Sequence, residues 1–191
     1  MNKYEKGDYG YINAYKKGKL IISLILAAMI SFIVITVIIM YGSTNKVAIV
    51  FAILLSMPFA KFLIAYIICA KFNPLNKEQY EYIEENTKTS NSKILYDVTI
   101  SQYEGVKFYH SLCVKNGIVC ALVLDKNINK NRDDYEKWIS ACVTDEKYEY
   151  KIHVFGDIDA YLKKVNSISA PNDNTRIVDK HMTERILDTG V

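Results

Sequence analysis

Few residues in this 191-residue chain have the types and spacing that chemistry requires. The clearest case is Asp157-Ile-Asp159, an Asp-x-Asp pair placed just after a β-rich stretch and so at the carboxyl end of a strand. If the third and fourth strands of the domain run parallel, Asp125 reaches the same edge, and Glu104 joins it from the first hairpin loop. Ligands favour that edge in open α/β sheets, and four carboxylates there could hold Mg²⁺ for phosphate chemistry. The competing reading gives each acid a local task. Asp157 caps a helix, Asp159 favours its first turn, and Asp125 and Glu104 are solvated loop charges. Phosphatase or transferase chemistry would need a second cluster, which the sequence lacks, so we expect the local reading and imply no cofactor.

The second candidate is Lys61, which stands inside a long apolar run one turn after Pro58. No acidic residue in the apolar runs could pair with it. A charge at such depth costs a few kcal/mol and marks a functional site by default. A lysine stem also snorkels to headgroups, and the carbonyl of Leu54, robbed of its donor by Pro58, favours a kink that would help. We expect anchoring or hairpin packing, with a pore or lipid contact as the alternative.

The four cysteines and three histidines offer less. Cys69 lies in the second apolar run and Cys142 on a helix face. An Asn116-Gly117 turn would set Cys113 opposite Cys120, and we expect buried free thiols rather than a disulfide in a reducing compartment. A Cys113–His110 dyad fails on the alternation of side chains along a strand. His153 and His181 are isolated, and no paired metal-ligand spacing occurs.

The elements that must position these residues follow from composition. Half the chain is hydrophobic, 24 basic residues face 21 acidic ones, and mean hydropathy is +0.02. Most of that apolarity sits in Leu20–Tyr41 and Val47–Ala70, which excludes a purely soluble enzyme, a disulfide scaffold and a disordered tail protein. At about 1.5 Å per residue either run crosses a hydrocarbon core of about 30 Å, and the first is too long for a cleaved signal. Only Gly42–Lys46 separates them, so residues 20–70 read as a transmembrane hairpin. Lys3, Lys6, Lys16, Lys17 and Lys19 before it, and Lys71 and Lys77 after it, outnumber Lys46 in the loop. Positive flanks stay inside, so both termini should be cytoplasmic at a cell membrane. Ser23, Ala27 and Ser31 in the first helix, with Ala52, Ser56 and Ala60 in the second, let backbones approach in lipid for hairpin packing or oligomerisation. Tyr4, Tyr9, Tyr11 and Tyr15 suit the headgroup zone, so residues 1–19 should lie along the inner leaflet as a juxtamembrane tail.

From Lys71 onward 17 basic residues meet 19 acidic ones, and Lys outnumbers Arg 21 to 3 in the whole chain. That balance argues against nucleic acid. Residues 71–93 give a helix, opened by the capping box Asn76-Lys-Glu-Gln79 over Lys77–Thr87, and then a polar linker. Residues 94–170 form a small α/β (α+β) domain. Its strands are Ile94–Ser101, Val106–Lys115, an apolar Ile118–Asp125 and Tyr150–Phe155. A helix has Asp133 and Asp134 in its first turn, and a second starts at Gly156-Asp157. Residues 171–191 read as a polar tail that admits a short helix over Ile177–Leu187.

The order α-β-β-β-α-β-α, with a mixed four-stranded sheet, resembles the core of restriction-endonuclease-like nucleases. That resemblance implies an acid early in the second or third strand and then Glu/Asp-x-Lys. Val106–Lys115 has no acid and Ile118–Leu124 neither acid nor lysine, so a working nuclease is not expected. Tyr9-Gly10-Tyr11-Ile12 with Lys16-Lys17, an uncharged first helix and Pro58-Phe-Ala-Lys61 resemble a group of small two-pass membrane proteins of low-GC Gram-positive bacteria. That resemblance implies a two-pass anchor and no particular activity. We therefore expect a membrane-anchored, non-catalytic interaction or regulatory protein, whose partners are the bilayer and a protein or second copy. The alternatives are an oligomeric effector or pore gated by the domain, and a tethered Mg²⁺-dependent enzyme using the acidic edge.

Overall fold

In a computed structural model of the chain, the structure describes residues 4–41, 46–87, 93–125, 127–143, 150–171 and 173–190. They divide into two compact units, Ile12–Asn73 and the combination of Met1–Tyr11 with Pro74–Val191. Residues 42–45 of the expected connecting loop, 88–92 of the expected linker, and 144–149 lie outside the described residues.

Two helices make the first unit, α1 (Tyr11–Tyr41) and α2 (Lys46–Ala70), and both are long and apolar enough to cross a membrane. Helix α1 starts nine residues before the apolar run. Tyr11–Lys19 has no proline, and Gly18 alone does not stop the helix, because hydropathy marks where a span begins and not where helical geometry does. Pro58 lies within α2. Hardly any side chain in the apolar stretches is buried, and the backbones of α1 and α2 make almost no close approach. Chain atoms alone leave Phe32, Ile39 and Met57 about seven-tenths exposed or more, a surface suited to lipid or to other apolar helices.

The second unit is a three-layer domain around a sheet in the order β1 (Ile94–Gln102), β2 (Gly105–Lys115), β3 (Ile118–Leu122), β4 (Lys151–Phe155). The first three strands form an antiparallel meander, and β4 pairs parallel to β3. Asn116 and Gly117 have φ of +52° and +72°, the conformation that makes Asn-Gly a tight hairpin turn. Helix α3 (Lys77–Thr87) opens with the expected box: Gln79 N–H donates to Asn76 Oδ1 at 2.7 Å, and Asn76 N–H to Gln79 Oε1 at 3.1 Å. Helices α4 (Ile128–Val143), α5 (Ile158–Ser167) and α6 (Asp173–Asp188) complete the domain. Trp138 and Ile139 of α4, with Met182 and Ile186 of α6, pack one sheet face against Leu95, Val98, Tyr109 and Leu112. Ile83 of α3, with Tyr161, Leu162 and Val165 of α5, pack the other against Tyr96, Cys113, Cys120 and Leu122. Each large apolar side chain so buried contributes about 1.5–3 kcal/mol.

Four expectations need correction. Residues 4–11 belong to the domain rather than to a membrane-surface tail. Tyr96 N–H donates to Gly7 O (2.8 Å) and Gly10 N–H to Asp97 Oδ2 (2.9 Å). Tyr9 stacks on Tyr80 at 4.1 Å, meets Tyr96 edge-on, and donates its hydroxyl to Leu75 O. Residues 173–188 are likewise a full helix of the core, since Met182 and Ile186 close one sheet face. Helix α4 begins a full turn before Asp133, so Asp133 and Asp134 are not in its first turn. Alternation along the strands is broken as well. Leu95 and Val98 share one core although three residues apart, and so do Tyr109 and Leu112 on β2. Asp97, at φ +52°, is the residue at which β1 turns over, and the register of the two strands is the same on both sides.

Candidate functional site

Asp125 and Asp157 follow the ends of β3 and β4, which the pair Leu122–Phe155 aligns, so both come to one sheet edge as their spacing suggested. Each is engaged locally. Asp157, extended at φ −131°, caps α5 by accepting Ala160 N–H at 3.0 Å. Asp125 Oδ1 accepts Asn127 N–H at 3.1 Å at the approach to α4. Asp159 accepts the Tyr82 hydroxyl at 2.8 Å, and that bond is the main cause raising the phenol's pKa. Gly156 must lack a side chain, because a Cβ there would collide with Ile128. Glu104 stands apart from them. Ser111 of β2 pairs with Leu122, and seven further residues back to Glu104 correspond to roughly 20 Å of strand. Among the described residues no three His, Cys, Asp or Glu side chains gather as metal ligands would.

Lys61 is exposed on α2, one turn beyond Pro58. Of the small residues, Ser23 is buried, Ala27 and Ala52 are half-buried, and Ser31, Ser56 and Ala60 are exposed. Their hydroxyls are satisfied within their own helices: Ser23 donates to Leu20 O, Ser31 to Ala27 O and Ser56 to Ile53 O, all at 2.7–2.9 Å. A satisfied hydroxyl has little need of a neighbouring helix.

All four cysteines are buried free thiols, and Cys113 faces Cys120 across the β2–β3 ladder. Burial, then the neighbouring Cys113, pushes the Cys120 thiol up to about 12. On the same sheet face Ser111 and Tyr161 share a buried hydrogen bond of 3.0 Å, and desolvation raises the Tyr161 phenol. The alternation argument against a Cys113–His110 dyad fails with the strand's break, yet His110 Nδ1 accepts Leu124 N–H at 3.1 Å. That bond gives the ring an edge-fixing role.

Two features escaped the sequence. One is the clasp of residues 4–11, where Lys6 also donates to Gly190 O at 2.8 Å at the carboxyl end of α6. Gly7 and Gly10, both at positive φ beside the tyrosines, were the local signal for it. The other is a groove of about 350 Å³ between α6 and the end of β2. Its residues come from opposite ends of the domain's sequence, so no spacing could announce it. No protein-family model matches the chain, and neither does any curated protein or solved structure.

Proposed function

We propose that the chain is a membrane-anchored, non-catalytic interaction or regulatory protein, with α1 and α2 inserted as a hairpin and the α/β domain on the cytoplasmic face. The clasp carries this reading. Residues 4–11 precede α1, and the β1 strand they bond follows α2. A domain built from both flanks keeps the flanks on one side, so either both helices cross or neither does. Their open apolar surfaces favour crossing. The lysines at the flanks, against Lys46 between the helices, favour the cytoplasmic side. The absence of catalysis rests on the local bonds that occupy Asp125, Asp157 and Asp159. The meander followed by a parallel β4 supports a restriction-endonuclease-like reading of the sheet.

A second reading, an oligomeric effector or pore, draws support from Lys61. Its ammonium stands on a helix with no acid to neutralise it, and neighbouring copies could surround it with water or headgroups.

Single-cysteine labelling tests the first reading. The four native thiols are buried, which keeps background low. With an impermeant maleimide on intact cells, Lys46→Cys should react, and Tyr4→Cys and Asp188→Cys should react only after lysis. Labelling of either terminal cysteine from outside overturns the reading.

A further inference from the structure

We propose that the groove between α6 and the end of β2 binds a phosphate-bearing small molecule, with Lys115 as the buried cation that holds the phosphate. The inference goes beyond the anchoring role and stands whichever way the helices are inserted. At about 350 Å³ the groove falls within the size range of small-molecule sites.

Its charge is unbalanced. Among the described residues Lys93, Lys115, Arg176 and Lys180 line it against Asp179 and Glu184, an excess of two positive charges. Glu184 pairs with Lys180 within the groove's own lining, which leaves Lys93, Lys115 and Arg176 facing Asp179. Asp179 accepts Asn116 N–H at 2.6 Å and Gly117 N–H at 3.1 Å, which latches α6 to the β2–β3 turn. Glu184 lies 3.9 Å from Lys180 on its own helix.

Lys115 is the decisive residue. Its side chain is almost wholly covered, at 3% exposure, and it lines the groove, where its ammonium keeps what accessibility the residue has. Among the described residues no carboxylate or carbonyl accepts from its ammonium. An ammonium whose stem is covered and whose tip meets only the groove is poorly solvated, so an anion bound there gains more from it than from a fully exposed lysine. A phosphomonoester, carrying about −1.5 to −2 at neutral pH, matches the groove's excess better than a carboxylate. Val114, Pro171 and Leu187 add apolar wall, so the phosphate should be esterified to an apolar or aromatic group. A soluble metabolite and a lipid headgroup share that chemistry.

The test uses the full chain, stripped of lipid in neutral detergent and titrated calorimetrically with phenyl phosphate. Saturable one-to-one binding is expected. Lys115→Met should weaken it by about tenfold or more, the loss of one charge-assisted contact, with no fall in unfolding temperature. Arg176→Gln, an exposed change that leaves folding intact, should weaken it by about threefold and carries the test if Lys115→Met does not fold. Lys163→Gln, on α5 outside the groove, should bind like wild type. Repeating the titration in nanodiscs of phosphatidylcholine, with and without phosphatidic acid, whose headgroup is a phosphomonoester, separates the sources. Competition by the anionic lipid assigns the site to a headgroup, and its absence assigns it to a soluble ester. The proposal is overturned if phenyl phosphate fails to saturate the chain in detergent and in nanodiscs. It is also overturned if both groove variants bind like wild type, or if benzoate binds as tightly as phenyl phosphate.

Discussion

Asp97 combines three demands that no other residue type meets as well. It turns β1 over at φ +52°, it is almost fully buried, and its Oδ2 receives the Gly10 amide that ends the clasp. Asparagine and aspartate tolerate the left-handed region, whereas a Cβ without a polar tip is penalised there by about 1–2 kcal/mol. Asp97→Ala should therefore destabilise the domain by about 2–4 kcal/mol, adding a stranded amide to the backbone cost. Asp97→Asn should cost about 1 kcal/mol or less, because its amide oxygen can take the place of Oδ2 as the acceptor of Gly10 N–H. Denaturant unfolding in detergent measures both, and equal losses would mean that the carboxylate's charge, not its shape, matters. Cys120 makes a different residue-scale prediction. With its thiol near 12, about one molecule in ten thousand carries the thiolate at pH 8, against roughly a quarter for an ordinary thiol. Iodoacetamide at pH 8 should modify Cys120 at least about a hundredfold more slowly in the folded chain than in urea, the higher nucleophilicity of a high-pKa thiolate offsetting part of its scarcity, as read by peptide mass spectrometry.

Elements were legible where the signal is local and hidden where it is distant. Asn76 with Gln79, Asn116 with Gly117 and the run Tyr135, Trp138, Ile139, Cys142 each state their structure within a few residues, and the chain obeys them. Even the parallel pairing of β3 with β4 followed from the order of elements. Helix α6 was legible only as a short helix over Ile177–Leu187, and its place in the core was hidden because its face is thin, with Met182 and Ile186 buried and polar residues between them. The clasp was hidden because its lysines and tyrosines suit a headgroup zone equally well, and only β1, about 90 residues away, decides between the two uses. The parallel pairing brings Asp125 and Asp157 to one edge but leaves Glu104 apart, and residue type suggested the cap at Asp157 but not the Tyr82 hydroxyl on Asp159. The clasp's energy should reside in its ring stack. Tyr9→Ala removes the 4.1 Å contact with Tyr80 and the bond to Leu75 O, and should cost about 3–4 kcal/mol. Trypsin in detergent should then cut at Lys6 well before it cuts the domain, whereas Tyr9→Phe should resist. Equal resistance of Tyr9→Ala and wild type would show that the backbone bonds alone hold the segment.

At the scale of the whole molecule, a domain that is covered on both sheet faces is joined to helices that are covered on almost none. The domain has satisfied its own apolar surface, so any assembly must be driven through α1 and α2 or through the polar exterior. Lipid removes the hydrophobic incentive for helix to meet helix, and the serine hydroxyls in these helices are already bonded within them. What is left to favour association is the ammonium of Lys61, which gains from a wet interior shared among copies and loses little if it can reach the headgroups alone. The two readings therefore separate on one substitution. In a simple anchor, Lys61→Leu should leave the mass of the detergent-solubilised particle that of a monomer and should hold α2 in the bilayer at least as firmly. In an assembled effector the wild type should run as a multiple of 21.9 kDa after subtraction of detergent, and Lys61→Leu should shift its mass and abolish ion flux in vesicles. A monomeric wild type that conducts nothing decides for the anchor, because a lone hairpin of two helices cannot enclose a path for water.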